Sequence, residues 1–70
     1  MKITLYSTHC PKCKIIETKL ERKSIEFKLI DDTEKVIQFG KENNIMSAPI
    51  LVVDTLVMDF KTANDWINRQ

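Results

Sequence analysis

Cys10 and Cys13, in the run Cys10-Pro11-Lys12-Cys13, are the two thiols of this 70-residue chain. At that spacing two sulfurs can close a small disulfide without unfolding the chain around them, as reversible thiol–disulfide exchange requires. A helix N-terminus adds partial positive charge and free N–H groups, which favour the thiolate form of a cysteine placed there. The run closes an apolar strand and opens an apparent helix, with Cys10 at the N-cap and Cys13 one turn inside. Cys10 is therefore the expected attacking thiolate. Cys13, directed toward the body and less accessible, is the expected resolving thiol. Lys12 and Lys14 add positive charge nearby, screened by salt.

Other chemistry at these positions has weaker support. A C-x-x-C pair is also half of a zinc site, which needs four nitrogen or sulfur ligands. Only His9 joins the two cysteines, it is adjacent to Cys10, and a second C-x-x-C is missing. A metal would need carboxylates, an exogenous thiol or a second subunit. His9 could act as a nearby cation or proton shuttle, but a solvent-facing loop residue that shapes partner recognition is the favoured reading. Ala48-Pro49 precedes an apolar run, and proline belongs at the start of a strand because it cannot donate in the ladder. A trans bond would only end the loop. A cis bond beside the thiols would leave backbone groups free for an extended partner, and spacing alone does not decide between them.

The remaining residues must build the scaffold. Lys2-Ile3-Thr4-Leu5-Tyr6 alternates and is rich in β-formers, which predicts a strand, with Ser7-Thr8-His9 as a loop. Pro11 suits a first helical turn, and Cys13, Ile16 and Leu20 recur at helical spacing to about Lys23. Ile25 to Leu29 alternates again and predicts a second strand. Asp31-Asp32-Thr33 offers caps for a helix from about Glu34 to Glu42, weakened by Gly40 and stopped near Asn43-Asn44. Ile50 to Val53 is a continuous apolar run, as in a central strand covered on both faces. Leu56-Val57-Met58 follows as a hairpin partner across a turn expected to exceed two residues, since no Asn-Gly or Asp-Gly is present. Phe60, Ala63 and Ile67, beside Trp66, mark a last helix. Phe27, Phe39, Phe60 and Trp66 are expected in the core, and Tyr6 either there or along a partner groove. The order is βαβαββα, an α/β fold, with the first two strands parallel through a right-handed crossover.

Length predicts a single domain over 1–70. At 43% apolar and 30% charged, the chain can bury one core and keep a charged surface. A disulfide across so short a loop restrains the unfolded chain little, so the cysteines point to chemistry rather than stapling. Net charge is +1 with interspersed signs, which argues against a nucleic-acid partner. No apolar run approaches the roughly 20 residues of a membrane span. Met1–Tyr6 carries no signal-peptide pattern, so a reducing cytoplasm is the expected location, and a monomer the expected state.

Taken together, the Cys10-Pro11-Lys12-Cys13 motif after an N-terminal strand, the Ser47-Ala48-Pro49 segment and the βαβαββα order resemble the glutaredoxin branch of the thioredoxin-like superfamily. The resemblance covers essentially the whole chain. It implies a four-stranded mixed sheet flanked by three helices, Cys10 as nucleophile and Cys13 as resolving cysteine. It also makes Pro49 a cis-proline facing them, with Ala48 offering its backbone to a bound thiol or peptide beside Pro11 and Lys12. Glutaredoxins commonly carry a glutathione-binding Gly-Gly pair before the last helix, where this chain has Met58-Asp59-Phe60-Lys61-Thr62. The Ala48-Pro49 pair and Phe60 are more similar to redoxins that donate electrons to ribonucleotide reductase and are reduced by thioredoxin reductase. The resemblance thus implies a disulfide oxidoreductase with no bound cofactor, re-reduced by thioredoxin reductase or glutathione. Glutathione-dependent monothiol deglutathionylation and a metal-binding module on Cys10 and Cys13 are the alternatives.

Overall fold

Alternation in the first segment sends Ile3 and Leu5 to one side of a strand and Thr4 and Tyr6 to the other, forming β1 (Ile3–Tyr6). The computed structural model describes residues 2–70, so Met1 lies outside the described residues. The chain continues through α1 (Pro11–Arg22), β2 (Lys28–Ile30), α2 (Thr33–Glu42), β3 (Ile50–Val53), β4 (Leu56–Met58) and α3 (Phe60–Asn68). The strands form one mixed sheet in the order β2-β1-β3-β4. β1 pairs parallel with β2 and antiparallel with β3, and β3 pairs antiparallel with β4.

The main core lies on one face of the sheet. Ile3, Leu5, Leu51, Val53 and Met58 of the strands meet Ile16 and Leu20 of α1 and Ala63 and Ile67 of α3. The other face carries α2, where Val36 is buried and Phe39 stacks on Tyr6 with ring centroids 4.1 Å apart. Gly40 is required on this face. A β-carbon there would stand 2.5 Å from the Ile45 carbonyl oxygen, so only glycine lets the following loop cross so close to the helix. This close approach is why a residue that weakens a helix sits within one that runs on to Glu42.

Helix ends follow local chemistry. Asp32 caps α2 by accepting from the Glu34 and Lys35 N–H groups, and Asp59 caps α3 by accepting from Thr62 N–H at 2.9 Å. α1 ends in a Schellman turn: Ser24 takes φ 56°, and Ile25 N–H donates to the Leu20 carbonyl. Asn44, at φ 58°, closes α2 in the same way through Ile45 N–H and the Gly40 carbonyl.

Several expectations from sequence need correction. The second strand begins at Lys28 rather than Ile25, because the α1 terminal turn uses Ser24 and Ile25 and the parallel ladder starts only at Thr4–Lys28. The hairpin between β3 and β4 has two turn residues, Asp54 and Thr55. Asp54 adopts φ 56° in place of the missing glycine, and its carboxylate accepts from Lys2 N–H at 2.9 Å. None of the four aromatics expected in the core is fully buried. Phe27, Phe60 and Trp66 pack against its margin, while Phe39 lies on the α2 face with Tyr6.

Candidate active site

The site is built where β1 ends and α1 begins. Ser7, fully buried, extends the parallel pairing by donating its N–H to the Ile30 carbonyl at 2.9 Å. Its hydroxyl accepts from His9 N–H at 3.1 Å, which closes a tight turn in which His9 adopts φ 60°. The chain then enters α1 with Cys10 at the N-cap. α2 and α3 are capped by aspartate oxygens; in α1 a sulfur takes that place, and Cys13 N–H donates to Cys10 Sγ at 3.2 Å. Cysteine is not among the residues preferred for capping.

The two thiols have unlike surroundings. Both are free cysteines; Cys10 is half-buried and Cys13 fully buried. Burial pushes the Cys13 thiol up, but hydrogen bonds from the Cys10 side chain, the Thr8 backbone, the Ser7 hydroxyl and the Cys10 backbone outweigh it and bring it below its ordinary value. The Thr8 hydroxyl lies 3.9 Å from Cys13 Sγ. A buried sulfur so supplied with hydrogen-bond partners can carry negative charge inside the protein.

Pro49 is buried and follows a cis Ala48–Pro49 bond, the isomer that spacing alone left open. Ala48 faces the thiols, with its carbonyl 3.7 Å from Cys10 Sγ. Pro11 and Lys12 are exposed on the first turn of α1, and the Lys12 ammonium sits 5.4 Å from the centre of the Phe60 ring, a cation–π contact. The segment from Cys10 to Cys13 and the loop at Ala48-Pro49, 38 residues later, are thus brought face to face.

His9 is directed elsewhere. Its Nε2 lies 3.2 Å from an Asp31 carboxylate oxygen, on a loop-facing side that leaves both groups more than half exposed. Among the described residues no three His, Cys, Asp or Glu side chains converge as a metal site. Sequence reasoning missed Ser7, Thr8 and Asp31. The register would have found Asp31: pairing Tyr6 with Ile30 sets residues 7–9 beside residue 31. Ser7 and Thr8 carry no local signal, because serine and threonine in a loop are ordinary.

No known protein-family profile matches the chain, and no curated protein matches it. Among solved structures, the fold is similar to that of a glutaredoxin-like protein. One such neighbour is NrdH-redoxin from Escherichia coli, described as a glutaredoxin-like protein with a thioredoxin-like activity profile. It superposes with a TM-score of 0.81 at 22% identity, over 99% of this chain and 93% of that one.

Proposed function

We propose that this protein is a thiol–disulfide oxidoreductase that reduces disulfides in other proteins through Cys10 and Cys13. The observation that carries the reading is the asymmetry of the pair: a reachable sulfur at a helix N-cap, with a sealed, hydrogen-bonded one behind it. The Cys10 thiolate attacks one sulfur of a substrate disulfide, whose S–S bond breaks. The departing thiolate takes a proton from solvent, and a mixed disulfide remains. Cys13, as thiolate, then attacks Cys10 Sγ and releases the second substrate thiol. Two electrons have passed to the substrate, and the protein holds a Cys10–Cys13 disulfide. Ala48 and Pro49 offer a backbone edge against which an extended substrate segment lies.

Re-reduction needs an external donor, for which thioredoxin reductase and glutathione are the two candidates. The chain has no Gly-Gly before α3, which favours thioredoxin reductase. Ribonucleotide reductase is a fitting electron acceptor on the resemblance to redoxins, and a reducing compartment such as the cytoplasm the fitting location. Among the described residues no helix is long and apolar enough to cross a membrane.

A redox titration tests the reading. Equilibrated in graded thiol/disulfide buffers and alkylated, the protein is expected to pass through one two-thiol transition at roughly −180 to −270 mV. Absence of a Cys10–Cys13 bond throughout the series would sink the assignment. Cys10→Ser abolishes turnover, and Cys13→Ser accumulates mixed disulfides seen by mass. Turnover retained in Cys13→Ser with glutathione would move the protein to monothiol deglutathionylation.

A further inference from the structure

At the moment Cys13 attacks, its surroundings differ from those in the free dithiol. Cys10 Sγ is then bonded to the substrate sulfur, so it has no thiol hydrogen to give and no negative charge to take one up. The groups that still serve the buried Cys13 sulfur are the Thr8 and Cys10 backbone and the hydroxyls of Ser7 and Thr8. A backbone N–H donates a hydrogen bond but cannot carry a proton away. A hydroxyl both donates and accepts, so only the two side chains can pass a proton on.

The two hydroxyls are not equivalent. Ser7 is fully buried, and its oxygen already accepts from His9 N–H at 3.1 Å. With no surface open to water, it cannot hand a proton to solvent. Thr8 is an exposed residue, and its Oγ1 lies 3.9 Å from Cys13 Sγ, where either atom can be the donor. Catalytic hydrogen bonds are often this loose before substrate is in place. Among the described residues no other partner holds the Thr8 hydroxyl, so it can turn between the sulfur and water. It bridges a sealed sulfur and the outside.

We propose that the Thr8 hydroxyl is the acid–base group of the resolving step, the outlet through which Cys13 loses its proton. The inference rests on the oxidoreductase reading and assigns it a further catalytic residue. The Cys13 proton passes to Thr8 Oγ1 while the hydroxyl's own proton passes to a water. The hydroxyl, restored, donates to the thiolate it has released. That thiolate attacks Cys10 Sγ, the bond from Cys10 to the substrate sulfur breaks, and the departing thiolate takes a proton from water. One proton leaves through Thr8 and one returns on the substrate thiol, while the two cysteines are oxidised to a disulfide.

A symmetrical chromogenic aryl disulfide, mixed in excess with the reduced protein in a stopped-flow instrument, reads both steps in one record. Attack by Cys10 releases one coloured aryl thiolate in a phase whose rate rises with reagent concentration. Attack by Cys13 on Cys10 Sγ releases the second at a rate independent of it. Thr8→Val keeps the branched shape and removes the hydroxyl; Thr8→Ser keeps the hydroxyl and removes the methyl. Each changes one exposed side chain, so the variants keep the fold. At fixed reagent concentration, the ratio of the second rate to the first is expected to fall roughly tenfold or more in Thr8→Val, and to return to within about twofold of the parent in Thr8→Ser. A ratio unchanged in Thr8→Val would overturn the outlet and leave the oxidoreductase standing. A Thr8→Ser variant as slow as Thr8→Val would overturn it too, because the methyl group would then be what matters. A parent protein that releases one aryl thiolate and no second would remove the dithiol reading, and the outlet with it.

Discussion

On one face of the sheet Leu5, Leu51, Ile16, Leu20 and Ile67 are sealed from solvent between β1, β3, α1 and α3. On the other, α2 alone provides cover, with Val36 and Gly40 its buried residues and Ile37 left half in water beside an open groove. The difference divides the work of a small domain. Apolar burial sufficient for folding is concentrated on the α1/α3 face, which leaves the α2 face free to keep apolar surface exposed beside the thiols. The two cysteines differ in access: Cys13 is buried, and Cys10 stays within reach of solvent.

The sharpest way to break this comparison is to cut equally into both faces. Leu20→Ala removes a fully buried side chain from the sealed face and should cost about 2–5 kcal/mol. A single core of this size supplies only about 3–5 kcal/mol in total, so the variant should keep about 3 kcal/mol at most. Ile37→Ala, on the open face, should stay within about 0.5 kcal/mol of the parent. Urea unfolding followed by circular dichroism reads both. Similar losses at the two positions would mean that the α2 face is as important to folding as the other.

Gly40→Ala probes the open face where it is tight. Helix propensity alone predicts a gain of up to about 1 kcal/mol. The added β-carbon, however, meets the Ile45 carbonyl oxygen at 2.5 Å, and a backbone atom cannot rotate away as a side chain can. A net loss of about 1–3 kcal/mol is expected, with the Ile45–Ala48 loop pushed from α2. A urea midpoint at or above that of the parent would show that the loop yields freely.

These two faces were unequally legible in the sequence. In the helical recurrence of Cys13, Ile16 and Leu20 and in the run from Ile50 to Val53, the sequence marks Ile16, Leu20, Leu51 and Val53 of the sealed core, because burial imposes its period on the residues that make it. Alternation started the second strand too early, since Ile25 and Phe27 pack against the core ahead of β2 once Ser24 has turned the chain. Gly40 read as a weakness because the Ile45 carbonyl that requires it is a tertiary contact. At the site, Cys10 and Cys13 could be placed from spacing and the strand-to-helix boundary. The Ser7 and Thr8 groups around Cys13 carry no local signal, and the Asp31 partner of His9 depends on strand register, which no local pattern encodes.

A smaller effect is expected at the start of α3, which closes the sealed face. The Asp59 carboxyl is held below its ordinary value by the Thr62 backbone N–H, then by the Thr62 hydroxyl and the Lys61 charge. A depressed value in the folded state means stability that is present above the unfolded-state value of about 3.9 and is lost as pH falls through the folded one. Asp59→Ala should cost about 1 kcal/mol near neutrality through the lost cap. It should also flatten the fall in stability below about pH 4. Urea midpoints measured from pH 2 to 6 check both parts, and an unchanged acid slope would place the cap's contribution elsewhere.

The smallest effect belongs to the tie between the cysteine loop and the entry to α2. His9 and Asp31 meet at 3.2 Å with both side chains more than half exposed, so solvent screens whatever charge they share. A double-mutant cycle of His9→Ala and Asp31→Ala should give a coupling of at most about 0.5 kcal/mol. Salt separates the two forms the contact can take. An ion pair loses its coupling by 1 M salt, where the screening length is about 3 Å. A hydrogen bond from a neutral imidazole keeps it. A coupling well above 1 kcal/mol would instead make this tie, together with the Ser7 turn behind it, a principal restraint on the loop that presents Cys10. The open face would then govern the geometry of the thiols as well as their access to a partner.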